Sequence, residues 1–169
     1  MQTLHEILYS SYGDDWQKIY FDVASQGFVV AHRLHGKDEL PINSHISIRL
    51  AKLFGERIEL LPRLYGVGVK SADATRNGEV WEFKITNGTT TSVQLRIREG
   101  SHQSPRILLA LPDVFDESDV LKGLMSAVNV DKNGRIELVH FLLPNGKLVE
   151  LTRQMIQRRD FQTFFDALK

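Results

Sequence analysis

Apolar and polar positions recur along this chain with two different periods. Residues 16–23 and 27–33, the latter reading GFVVAHR, carry the short β-branched and aromatic runs of extended segments. RIELLP at 57–62 reads the same way, and RILLALP at 106–112 is a continuous apolar run, as in a central strand buried on both faces. Helical character is expected over 3–11 and over 45–55, where Ile46, Ile48, Leu50, Ala51 and Leu53 form a mostly buried face and Gly55 stops it. Further helices are expected over 91–99 behind Thr caps at 89–91, over 116–127 with an acidic first turn, and over 152–167 around Met155, Ile156, Phe161, Phe164 and Phe165. HGKDELPINSH, 35–45, is polar and holds a proline; it reads as a loop, with Asn43 or Ser44 capping the helix that follows.

Two Asn-Gly steps mark hairpins, one in SADATRNGEVWEFK (71–84) and one at 145–146 in RIELVHFLLPNGKLVEL. A two-residue Asn-Gly turn favours type I′, because both turn residues need positive φ. With Asn77 and Gly78 as that turn, Arg76 faces Glu79, Thr75 faces Val80, Ala74 faces Trp81 and Asp73 faces Glu82. Alternation then puts Trp81, Phe83, Ala72 and Ala74 on a core face, and Asp73, Glu82, Ser71 and Lys84 on the other. The central order is helix, strand, strand, strand, helix, strand, followed by a helix, a hairpin and a terminal helix. It describes one α+β domain over 1–169 with a mixed central sheet and a core at about 27–151.

Composition changes this picture little. The 169 residues are 42% hydrophobic and 25% charged, ordinary for a globular domain. Lysine plus arginine and aspartate plus glutamate each number 21, so no overall basic charge points to nucleic acid, though a local basic patch suffices for it. Without cysteine there are no disulfides and no thiolate metal site. No apolar run has the ~18 residues of a membrane span, so no membrane partner is expected. MQTLHEILYSSYG lacks a signal-peptide pattern, which sets the expectation of a cytoplasmic site of action.

The chemistry concentrates in the first hairpin. Two carboxylates opposite each other on a strand pair repel, so a cation must offset them or one must take up a proton. Lys84 is one such cation. A divalent ion with oxygen ligands, Mg²⁺ or Mn²⁺, is another. Aspartate is depleted in strands, which sets Asp73 apart from an ordinary solvated strand face.

Asp73, eight residues, then Glu82-Phe83-Lys84 resembles the PD-(D/E)XK nuclease signature. That resemblance implies a metal held by Asp73 and Glu82, with Lys84 assisting the attacking water. It also implies a further acid near the first core helix, for which Glu39 is available, and a polar residue near the second, for which Gln103 stands. Ala72 replaces the motif's frequent proline. GFVVAHRLHGKDEL, LAKLFGERIELLP, KSADATRNGEVWEFK and RIREGSHQSPRILL together resemble the C-terminal tRNase toxin domains of contact-dependent growth inhibition (CdiA) proteins and related polymorphic toxins. The resemblance spans about 27–112. It implies an endoribonuclease that cuts RNA, tRNA in particular, after delivery into a target cell, and that is restrained by an immunity protein. Metal-independent barnase-like RNase toxins, relying on His35, Lys84 and Thr152, are an alternative; a non-catalytic protein-binding module is another, which the neutral charge favours slightly.

Around that centre, His35 and Lys37 stand as candidate phosphate ligands in a dense polar cluster, and Arg96 and Arg98, with Gln94, as candidates to hold an RNA backbone. Each also has an ordinary reading, as a surface loop or a solvated helix face. His32 and His35 point different ways on extended chain and do not suit a metal pair. Thr152 suits a helix cap, and His140 a core edge or acid–base chemistry. No HExxH, Walker or dinucleotide pattern is present, and Gly66-Val67-Gly68-Val69 lacks the context of a phosphate loop.

Overall fold

The computed structural model of the chain describes residues 2–64 and 71–169; Gly66 to Val69 lie outside them. Among the described residues there are eight strands and six helices, an α+β set whose strands are hydrogen-bonded in chain order. Contacts divide the chain into two compact units, residues 1–81 and 82–169. No helix among the described residues is long and apolar enough to cross a membrane.

The first unit opens with α1 (Leu4–Ser11), started by a capping box in which Thr3 and Glu6 satisfy each other's backbone N–H. β1 (Trp16–Phe21) runs antiparallel to β2 (Phe28–His32), and β2 runs parallel to β3 (Arg57–Leu60). The parallel connection is made by α2 (Leu40–Phe54), the crossover such a pair needs. β3 then pairs antiparallel with β4 (Ala74–Arg76), and β4 with the start of β5 (Glu79–Ile85). Phe28 to Ala31 are all buried, so β2 is covered on both faces. Gly27 lets α2 close on it: a Cβ there would lie 2.0 Å from the Ala51 carbonyl oxygen. Gly55 ends α2 at φ 66°, donating to that same oxygen.

α2 starts five residues earlier than the sequence pattern suggested. Pro41 sits in its first turn, where a missing N–H costs nothing and a fixed φ helps, so the proline begins the helix instead of delaying it. Asn43 and Ser44 therefore lie inside the helix and cap nothing. Glu56 and Arg76 meet as a buried bidentate pair, Nη2 to Oε1 at 2.6 Å and Nε to Oε2 at 2.7 Å. The guanidinium also lies 4.2 Å from the Trp81 ring centroid.

In the second unit, residues 82–85 of β5 pair parallel with β6 (Arg106–Ala110) across α3 (Thr90–Gly100). β6 pairs parallel with β7 (Leu138–Leu142) across α4 (Glu117–Val130), and β7 antiparallel with β8 (Leu148–Thr152). Thr89 caps α3 as expected, accepting from Ser92 N–H, whereas Asp116, expected inside α4, is its cap and accepts from Asp119 N–H. The core here is one cluster, with Ile107 and Leu109 of β6, Val139 and Phe141 of β7, and Val93, Ile97, Val120 and Leu124 of the helices.

Two expectations fail in this unit. The tail is two helices, α5 (Arg153–Arg158) and α6 (Gln162–Leu168), broken where Arg159 turns left-handed at φ 59°. A continuous helix would turn Phe161, five residues on, about 140° away from Ile156. The break redirects the chain, and Phe164 packs edge-on against Phe141 at 5.6 Å. The second hairpin does not use Asn145-Gly146 as a two-residue turn. Pro144 occupies the first central position of a four-residue turn in which Gly146 N–H donates to the Leu143 carbonyl, 3.0 Å, and Gly146 alone takes positive φ.

Candidate functional site

β5 carries the residues that stand out in the sequence. Its register against β4 is the expected one: Arg76 with Glu79, Thr75 with Val80, Ala74 with Trp81. Asn77 and Gly78 adopt φ 50° and 89°, as a type I′ turn requires. The Asn77 side chain also accepts from Arg57 N–H at 2.9 Å, which ties the turn to β3. The ladder covers those three pairs. Asp73 lies one residue before it, buried, and its carbonyl oxygen accepts from Leu61 N–H at 2.9 Å.

Glu82 is completely buried, so the strand face it occupies is not an ordinary solvated one. The last turn of α3 covers it. A Cβ on Gly100 would sit 3.3 Å from Glu82 Cγ and 3.2 Å from Ile107 Cγ1, so glycine lets the helix end approach this closely. The Glu82 carboxylate accepts from the Lys84 ammonium two residues along the strand. A buried carboxylate is tolerable only with such a partner, and Lys84 reaches it while keeping 21% of its own side chain exposed. Gln103 lies in the turn after α3, partly buried, with its N–H on the Gly100 carbonyl at 2.9 Å.

The other candidates divide by unit. In the first, Glu39 precedes α2 half-exposed, 3.8 Å from Arg63, and makes no capping bond. Lys37 is exposed. His35 is buried with both ring nitrogens engaged: Nδ1 lies 2.7 Å from the Leu61 carbonyl, which only accepts, and Nε2 lies 3.2 Å from Asn43 Nδ2. That fixes the proton on Nδ1 and gives Asn43 a role inside α2. In the second, Arg96 is exposed and pairs with Glu99 one turn on, at 3.0 Å. Thr152 caps α5 by accepting from Met155 N–H, and His140 is buried beside Glu150 of β8 at 3.1 Å.

Arg98 lines a cleft of about 340 Å³ with residues the sequence did not single out, among them His102, Lys132 and Arg135. The signal was available, since DKNGR at 131–135 is a basic Asn-Gly loop, but only the fold brings it opposite the end of α3. Among the described residues no three His, Asp or Glu side chains converge as a metal cluster. Two carboxylates with water and phosphate are a usual ligand set for Mg²⁺, so Asp73 and Glu82 suit the ion by type.

No protein-family model and no curated protein sequence matches the chain. Among solved structures it is similar to a chain of the CdiA-CT/CdiI toxin and immunity complex from Burkholderia pseudomallei, with TM-score 0.50 and 18% identity over 68% of this chain and 85% of that one. At that identity the likeness is one of fold.

Proposed function

We propose that the chain is a toxin-type endoribonuclease domain that cleaves tRNA with the help of a divalent ion. The supporting observation is the completely buried Glu82 carboxylate held by Lys84 on β5, in a chain whose α2-β3-β4-β5-α3-β6 follows the helix, strand, strand, strand, helix, strand order expected from the sequence. The fold likeness to a chain of a toxin and immunity complex supports the same reading, and an immunity-type protein is the partner it implies.

In this reading Asp73 and Glu82 hold Mg²⁺ or Mn²⁺, which when bound lowers the pKa of a coordinated water and offsets charge on the scissile phosphate. Lys84 leaves the Glu82 carboxylate to neutralise a phosphate oxygen or to orient the attacking water. Gln103 supplies a neutral donor near the end of α3, and Glu39 a further acid. Arg96 and Arg98 hold the RNA backbone, and Lys37, exposed, reaches a phosphate. His35 organises the loop before α2, because both its ring nitrogens are already engaged.

The test is cleavage of total tRNA with Mg²⁺ or with EDTA, for the wild type and Glu82→Gln. Metal assistance is worth several kcal/mol, so chelation and the substitution should each slow cleavage by about 100-fold or more. Circular dichroism of Glu82→Gln checks that it folds. Cleavage that survives EDTA removes the metal from the proposal. A folded wild type that cuts nothing with any divalent ion leaves a binding module.

A further inference from the structure

We propose that the cleft between the end of α3 and the loop joining α4 to β7 is a phosphate-binding subsite for a polynucleotide backbone. Arg98, Ser101 and His102 line one side, and Lys132, Asn133 and Arg135 the other, around about 340 Å³. Three of these carry full positive charge at neutral pH. The acid in the same lining, Asp131, does not cancel them. Its side chain is 8% exposed, and Oδ2 accepts from Arg153 Nη1 at 2.7 Å and from Ile136 N–H at 2.8 Å. A fourth cation, supplied by α5, thus offsets the acid from behind, and the cleft keeps an excess of positive charge.

The loop is also held in place before any ligand arrives. The Asp131 carbonyl accepts from Gly134 N–H at 3.2 Å and from Arg153 Nη2 at 2.8 Å, and Arg153 Nη1 donates to the Ile136 carbonyl at 3.1 Å. Lys132 and Arg135 therefore project from an anchored turn, and an anion does not have to order the backbone that binds it. Arg135 Nη1 lies 2.7 Å from His102 Nδ1. A guanidinium only donates, so Nδ1 accepts and the imidazole proton sits on Nε2. The contact aims the guanidinium and leaves the imidazole N–H as a donor on the α3 side.

The lining is mostly donors and charge: Val130 is its one apolar residue, and its one ring, His102, already meets Arg135 through Nδ1. Such a set of cationic donors suits a phosphate, the contact by which proteins hold a nucleic-acid strand in register. The chain's net charge is zero, so any attraction for a polyanion must come from local patches of this kind.

Binding is measured by fluorescence anisotropy of a labelled 12-nucleotide single-stranded RNA in EDTA over a salt series, separately from cleavage. The triple variant Arg98→Ala/Lys132→Ala/Arg135→Ala should lose about 10-fold or more in affinity at low salt. Its slope of log affinity against log salt should fall by about 2, roughly 0.7 per cation removed. Lys122→Ala/Lys147→Ala/Arg158→Ala removes the same charge elsewhere on this unit and should change affinity less than about 2-fold. Equal losses in the two triples would overturn the subsite. So would a cleft triple that stops binding inorganic pyrophosphate yet binds the RNA unchanged, since the cleft would then serve small anions. Binding that depends on the cleft in a protein that cleaves nothing keeps this inference and removes the nuclease reading; cleavage with cleft-independent binding does the reverse.

Discussion

Glu56 and Arg76 pair in both hydrogen bonds that a guanidinium and a carboxylate can share, with side chains 10% and 5% exposed. Removing one partner strands the other charge away from water, so Glu56→Ala should cost about 3–5 kcal/mol in urea unfolding, while an exposed pair such as Arg96–Glu99 should cost under about 1 kcal/mol. Asp131 makes the pH-dependent contribution. Burial works to raise its pKa, but the backbone N–H groups of Ile136 and Arg135 and the Arg153 guanidinium together outweigh burial and hold it below the usual carboxylate range. A depressed folded pKa gives stability that is present above the ordinary Asp value near 4 and lost as pH falls through the folded one. The stability gap between wild type and Asp131→Asn, read by urea titration, should therefore be wide at pH 7 and shrink toward pH 2. The burial of Glu82 was not legible from its residue type. Alternation put it on a face with Ser71 and Lys84, and the close approach of Gly100 at the end of α3 is what covers that face.

Helices α3 and α4 meet at Gly123, where a Cβ would lie 2.6 Å from the Thr90 carbonyl oxygen and 2.7 Å from Val93 Cβ. Backbone cannot yield as a side-chain tip can, so Gly123→Ala should destabilise by about 1–3 kcal/mol or more, lowering the thermal midpoint. The Arg159 break predicts the opposite sign. Left-handed backbone costs a non-glycine residue about 1–2 kcal/mol, and glycine's extra unfolded-state entropy takes back part of it, so Arg159→Gly should be neutral to about 1 kcal/mol stabilising. Most elements were legible from period and caps: Thr89 and Thr152 each cap the helix their position implied. What failed were the places where a local rule has two outcomes. Pro41 marks a helix start as readily as a loop, and Asn145-Gly146 after Pro144 forms a four-residue turn, not a type I′ pair. The tail break depends on Phe164 finding Phe141, a contact far away in sequence.

Both tryptophans, Trp16 and Trp81, fall in residues 1–81, so intrinsic fluorescence follows that unit while far-UV circular dichroism follows all the helices. β5 contributes residues to both units, so loss of the strand in one disturbs pairing in the other, and the two probes should give one urea midpoint in the wild type. Separate midpoints would show the units unfolding independently. The order of elements was visible in the chain, whereas the basic cleft was not, because its two walls are about 30 residues apart in sequence and only the fold opposes them. β5 also bears on how such a chain can change length. It is counted against β4 by a two-residue turn on one side and against β6 through a helix on the other. A single-residue insertion at Asn77-Gly78 would have to be absorbed by one pairing or the other, and either way it would exchange the places of Glu82 and Phe83 relative to a neighbour. Insertions at exposed Val114, which lies in a connection between β6 and α4, shift no pairing within a ladder. Homologues are thus expected to vary in length there and to keep the spacing from Ala74 to Ile85.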